Sequence, residues 1–302
     1  MNITEEILKL KEDRNAVILA HNYQIPEIQD LGDFVGDSLD LARKAMNTDA
    51  DVIVFCGVDF MAETAAILNP EKTVLLPAKT AQCPMAMLLT PEKIRKAREE
   101  HPDADVVMYI NTHAAAKVYA DCVCTSSNAI RIVEAMESET ILFAPDRHLA
   151  SYVQKNTSKK IIPVPDRGLC VVHNNIMLED VREAREKHPD ALLTVHPETP
   201  PEVQELADHI GSTNQMIRYV RETDNEEFII GTEIGIIHRM RKEAPGKKYY
   251  PACERAVCRS MKEINLDNLR EALDKMQHKV EVPKDIADKT RTAIERMLEL
   301  SK

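Results

Sequence analysis

Three twelve-residue phrases, KTVLLPAKTAQC (72–83), KKIIPVPDRGLC (159–170) and KKYYPACERAVC (247–258), each open on a lysine, carry an apolar run with a proline, and close on a cysteine. The closing residues Cys83, Cys170 and Cys258 lie 87 and 88 residues apart. Three thiolates brought to one centre can hold zinc with a fourth ligand, or an iron-sulfur cluster. A structural zinc site usually shows local pairs such as CxxC, a spacing that Cys122/Cys124 and Cys253/Cys258 lack. Electron-transfer clusters normally use four protein ligands. Three ligands suggest a [4Fe-4S] cluster with one iron left open, a Lewis acid able to polarise a substrate oxygen or nitrogen. Spacing alone leaves zinc and cluster both open. Cys56, Cys122, Cys124 and Cys253 read as small buried hydrophobes.

Other polar groups stand at the ends of apolar runs. Glu198, in VHPET, sits where burial is expected to raise its pKa into the range of a general acid or base. His21, Tyr23, Tyr109, Asn111, His173 and His196 lie at strand ends or directly after a cysteine, as ligand contacts or as satisfied structural hydrogen bonds. GDSLDLARKA, TSSNAIRIVEA and GSTNQMIRYV each read as a hydroxyl-rich helix start. Helix N-termini carry partial positive charge, so Ser38, Ser126, Ser212 and Thr213 are candidates to hold carboxylates or a phosphate; plain capping is the simpler reading.

The elements behind these groups also come in threes. A charged amphipathic helix leads into an apolar strand in EEILKLKEDRNAVILAHNY, PEKIRKAREEHPDADVVMYIN and LEDVREAREKHPDALLTVHPE, with strand ends expected at His21, Asn111 and His196. Further strands follow in DVIVFCGVDFMAE, ETILFAPDRHLAS and EFIIGTEIGIIHR. Strands alternating with helices predict an α/β protein of three homologous three-layer αβα domains with short parallel sheets. The expected divisions are 1–83 plus 262–302, 84–170 and 171–261, arranged around a pseudo-threefold axis. Residues beyond about 265 read as two closing helices. Sites in parallel sheets lie past the carboxyl ends of the strands, which is where the polar groups above fall.

Composition narrows the function. With 50 acidic against 39 basic residues, a net charge of −11 argues against broad binding to nucleic acid or an anionic membrane. The N-terminus lacks the basic start and apolar core of a signal peptide, and no run approaches the ~20 apolar residues of a membrane span. A cytoplasmic protein is expected. Neither GxGxxG nor GxxxxGK[ST] occurs.

HNYQIPEIQDLGDFVGDSLDLA, VFCGVDFMAETAAILNP, MYINTHAAAK, TSSNA, FAPDRHLA, GLCVVH, HPE and GST together resemble the quinolinate synthase family of de novo NAD synthesis, in its shorter, archaeal form. The resemblance spans about residues 3 to 300. It implies a triangular protein with a [4Fe-4S] cluster held by Cys83, Cys170 and Cys258. It also implies condensation of iminoaspartate with dihydroxyacetone phosphate, loss of phosphate and two waters, and closure of a pyridine ring. Carried over by motif, the substrate-holding groups are His21, Tyr23, Ser38, Tyr109, Asn111, Ser126, His173, His196, Glu198, Ser212 and Thr213. His21, Tyr23, His173 and Glu198 are the expected catalytic groups, with Glu198 and Tyr23 moving protons. Iminoaspartate would come from L-aspartate oxidase or aspartate dehydrogenase. Thr199 stands where many relatives have a cysteine, Gln82 where a small residue is usual, and Cys253 has no counterpart in the other two phrases. The rival readings are another hydro-lyase with an open-iron cluster, an iron or oxygen sensor, and a triplicated zinc scaffold.

Overall fold

The computed structural model describes residues 2–302. Its twelve strands are β1 Ala16–His21, β2 Phe34–Gly36, β3 Val52–Cys56, β4 Thr73–Leu75, β5 Asp105–Tyr109, β6 Cys122–Cys124, β7 Thr140–Ala144, β8 Lys160–Pro163, β9 Leu192–Val195, β10 His209–Ile210, β11 Glu227–Gly231 and β12 Lys248–Pro251. They form three four-stranded parallel sheets ordered β2-β1-β3-β4, β6-β5-β7-β8 and β10-β9-β11-β12. Each sheet therefore repeats one order, with the first and third strands of its copy in the middle. Those central strands, such as VIVFC and TILFA, are β-branched or aromatic and almost wholly buried, as strands covered on both faces must be. The α/β class of three sheets flanked by helices is as expected.

The chain forms two compact units, 1–83 with 258–292, and 84–257 with 293–302. In the first, helix Ile3–Asp13 packs on helix Leu266–Lys275. Residues 278–280 then run antiparallel along the β4 edge, with Leu76 N donating to His278 O (3.1 Å) and Val280 N to Val74 O (2.9 Å). That pairing occupies a row of donors and acceptors which an open edge would leave exposed. The second unit holds the other two sheets and the end of helix Lys284–Leu300. Among the described residues no helix is long and apolar enough to cross a membrane.

Three bond patterns recur in every copy. Asp33, Asp121 and Asp208 each accept the backbone N–H of the first strand (Ile18, 2.8 Å; Val106, 2.7 Å; Leu193, 2.7 Å). Each is also ion-paired to the preceding helix, through Lys11, Arg98 and Arg185. The lysine opening each repeated phrase has an equally plain task. Lys72, Lys159 and Lys247 send their ammonium groups to carbonyls in the last turn of a helix or just past it: Thr48, Met136 with Ser138, and Val220 with Thr223. A cation is favoured there by the helix dipole and by the unpaired carbonyls.

Two local expectations are corrected. In the middle copy the strand ends at Tyr109, not Asn111, because Tyr109 pairs with Cys124 as His21 pairs with Gly36, and in the third copy it ends at Val195, one residue before His196. Of the hydroxyl residues at the three helix starts, only Ser212 is a side-chain cap, within a capping box with Gln215. Asp37 caps the helix that begins at Ser38, its carboxylate accepting from two amides. In the middle copy the helix begins at Ala129 after Asn128, which makes no capping bond, so Ser126 lies in the loop before it.

Candidate active site

The strand ends share one position plan. By strand register His21, Tyr109 and His196 are equivalent, and two residues later so are Tyr23, Asn111 and Glu198. Each loop then enters a short helix, Pro26–Leu31, Ala114–Lys117 or Pro201–Gln204. The fourth residue of the first and third helices is a buried glutamine that ties down the loop. Gln29 Nε2 donates to Asn22 O and Gln24 O, and Gln204 Nε2 to Pro197 O and Thr199 O. The middle copy has Lys117 at that place, fully buried.

In the first unit, Tyr23 N donates to His21 Nδ1 (3.2 Å), and the two rings meet edge-on at 4.6 Å. Ser38 lies in the first turn of its helix, half-buried. Cys83 and Cys258 belong to this unit and are half-buried.

The remaining predicted residues belong to the second unit. Among them Glu198 is buried, its Oε2 accepting from His173 Nδ1 at 2.8 Å and lying 3.3 Å from His196 Nδ1. Oε1 is buried with no hydrogen-bond partner. Cys170 Sγ is 3.2 Å from the same His173 Nδ1. Two acceptors face that nitrogen, so it carries the proton, and His173 Nε2 accepts from Thr232 Oγ1 at 2.8 Å. His196 Nδ1 accepts the Glu198 N–H (3.3 Å), which leaves Nε2–H to donate to Ser126 Oγ at 3.1 Å. The two imidazoles stack at 4.6 Å. Ser127 O accepts from Gln215 Nε2 (3.4 Å), which links the Ser126 loop to the helix capped by Ser212 and begun by Thr213.

Burial by itself would raise the Glu198 pKa, as expected from sequence. The neighbouring His173 and His196, with the Tyr109 hydroxyl, outweigh it and hold the carboxyl below its ordinary value. Glu198 is therefore held as a carboxylate, not as a raised-pKa acid. Cys170, His173 and Glu198 offer sulfur, nitrogen and oxygen atoms within 4.8 Å of one another, a donor set able to hold a metal ion.

Exposure divides the seven cysteines. Cys83, Cys170 and Cys258 are half-buried, whereas Cys56, Cys122, Cys124 and Cys253 are buried. Burial pushes the Cys122 thiol up to about 12 and raises the other three as well, so these four stay neutral and unreactive. Thr199 is fully buried, its hydroxyl donating to His196 O at 2.8 Å, and so serves the loop rather than a ligand. The sequence reading missed Thr232, for which only its place after β11 could have spoken. It also missed Gln29, Lys117 and Gln204, whose 88- and 87-residue spacing was visible.

Residues 5–299 match the family described as "Quinolinate synthetase A protein". The chain belongs to the quinolinate synthase family. It is 58% identical over 299 residues to the quinolinate synthase of Thermococcus onnurineus, covering 99% of this chain and 98% of that one. It is 56% identical over 302 residues to the quinolinate synthase of Pyrococcus horikoshii, covering all of both. Identity to the quinolinate synthase of Methanocaldococcus jannaschii is 50% over 305 residues, with 99% of each covered.

Proposed function

We propose that this protein is a cytoplasmic quinolinate synthase of de novo NAD synthesis. It condenses iminoaspartate with dihydroxyacetone phosphate and releases quinolinate, phosphate and two waters. The observation that carries the reading is the array of half-buried Cys170 with buried His173, Glu198 and His196, in a chain of this family. The three half-exposed phrase cysteines, set against four buried ones, suit a three-thiolate [4Fe-4S] cluster, and we assign Cys83, Cys170 and Cys258 as its ligands. When bound, such a cluster supplies a Lewis-acidic iron with one open position. The assignment goes with three αβα domains, 1–83 plus 262–302, 84–170 and 171–261, about a pseudo-threefold axis.

The chain's own groups supply recognition and proton transfer. His21, Ser38, Tyr109, Asn111, Ser126, His196, Ser212 and Thr213 hold the two anionic substrates through hydroxyl, amide and imidazole groups. Glu198 takes a proton during enolisation while His173 Nδ1 donates to its Oε2 and holds it in place. Tyr23 and His21 protonate departing oxygen and are reprotonated from solvent, to which Glu198 gives up its own proton. L-Aspartate oxidase or aspartate dehydrogenase is the proposed source of iminoaspartate.

The test is quinolinate formation by anaerobically prepared protein given both substrates, beside Cys170→Ser. Product from the wild type and none from the variant is the expected result. A wild type that retains iron and sulfide yet makes no quinolinate overturns the proposal, and hydroxy-acid dehydration would be assayed next.

A further inference from the structure

Asp146 is a buried carboxylate with no part in the chemistry above. It sits two residues beyond β7, and both oxygens are engaged: Oδ1 accepts Leu149 N at 2.7 Å, and Oδ2 accepts the backbone N–H of Cys170 at 2.9 Å. The surrounding loops are packed closely. Arg147 N donates to Gly168 O (2.8 Å), and a side chain on Gly168 would bring its Cβ within 1.9 Å of Pro145 O. The first unit repeats the device. Asp59, just beyond β3, accepts Cys83 N on Oδ1 at 3.1 Å, and Asp59 N donates to Ala81 O at 2.9 Å. In both copies the acid precedes the cysteine by 24 residues, and the amide–carbonyl bond reaches the residue two before that cysteine. The third copy has Ile234 N on Ala256 O (3.0 Å), again two before its cysteine, with Glu233 Oε2 holding Gly235 N at 2.7 Å.

We infer that Asp146 and Asp59 are positioning residues that lock the backbone of Cys170 and Cys83, fixing where each sulfur points and keeping its own amide proton away from sulfur. The inference rests on the cluster assignment above. A cysteine amide held by a carboxylate cannot turn to donate to a cluster sulfur, and hydrogen bonds to sulfur are among the factors that set a cluster's potential. Releasing the amide frees the loop and opens that alternative bond.

The two acids differ in a way that makes the inference testable. At 146 both oxygens accept, so an asparagine must turn its NH₂ toward one of two N–H groups. At 59 Oδ1 accepts from both Cys83 N and Phe60 N (2.9 Å), so an alanine there removes both bonds at once. Serine at 146 keeps an oxygen for the helix cap at Leu149 but is too short to reach Cys170 as well.

The experiment measures anaerobic, chelator-driven loss of cluster absorbance from the reconstituted holoprotein. It adds the electron paramagnetic resonance of the reduced cluster and the melting temperature of the cluster-free chain. Asp146→Asn, Asp146→Ser and Asp59→Ala are expected to lose the cluster about tenfold faster or more, the scale of a lost buried hydrogen bond. Asp146→Ser should shift the resonance while melting near wild type, which a purely structural role would not do. Wild-type release rates in Asp146→Ser and Asp59→Ala overturn the inference while leaving the cluster assignment standing. A wild type that assembles no cluster removes both.

Discussion

Glu198 is placed where a carboxylate is costly to bury, and the molecule offsets that cost with the His173 Nδ1–H on Oε2 and the imidazole of His196 beside it. Replacing it by glutamine keeps the shape but puts a neutral amide against His173 Nδ1–H. Glu198→Gln should retain iron and sulfide while kcat for quinolinate falls by about 10²–10⁴, the usual weight of a general base; an unchanged kcat would remove Glu198 from the proposed mechanism. Much at this scale was legible from sequence. HPE pointed to His196 and Glu198 because polar residues ending an apolar run are conspicuous, and CVVH to His173 because it follows a cysteine. The direction of the Glu198 shift was not, since it depends on an encounter between residues 173 and 198 that no local pattern encodes.

Among the elements, the short helices after the first strands have a checkable logic. Gln29 and Gln204 bind loop carbonyls, and Lys117 occupies their place in the middle copy. Lys117→Gln should therefore fold and melt close to wild type, whereas Lys117→Met should destabilise by about 1–3 kcal/mol through unsatisfied buried carbonyls. Urea unfolding of both variants decides it; equal destabilisation would mean the charge matters and the register argument fails. The sequence-based placement of strands succeeded because apolar β-branched runs dominate them. It slipped by two residues in the middle copy because YIN continues the apolar pattern past the last ladder pair at Tyr109. Caps were misread at Ser38 because Asp37, one residue earlier, competes for the same amides and wins.

For the molecule as a whole, acid is predicted to be a weakness. Burial lowers the pKa of His148, whose Nε2 donates to Asn174, and of His209, stacked on Tyr219 and bonded to Thr194; nearby arginines push the same way. A lowered folded-state value means that the unfolded chain takes up the proton first as pH falls. The stability these histidines contribute is thus complete above the ordinary histidine pKa of ~6.5, and is lost as pH falls from there through the lower folded value. Denaturant unfolding between pH 7.5 and 5 should show this decline, and a His148→Gln, His209→Gln double variant should have a shallower one. The same slope in both proteins would exclude these two groups as its source.

The triple use of one bond plan has a historical consequence. Ion pairs such as Arg98–Asp121 and lysines such as Lys159 are held in common, while the strand-end pairs have become His–Tyr, Tyr–Asn and His–Glu. Once a unit stands in several copies on one chain, each copy can change its strand end alone while the shared bonds hold its sheet. The bond plan thus separates what keeps the fold from what is free to diversify, and the divergence has fallen on the two residues at each strand end.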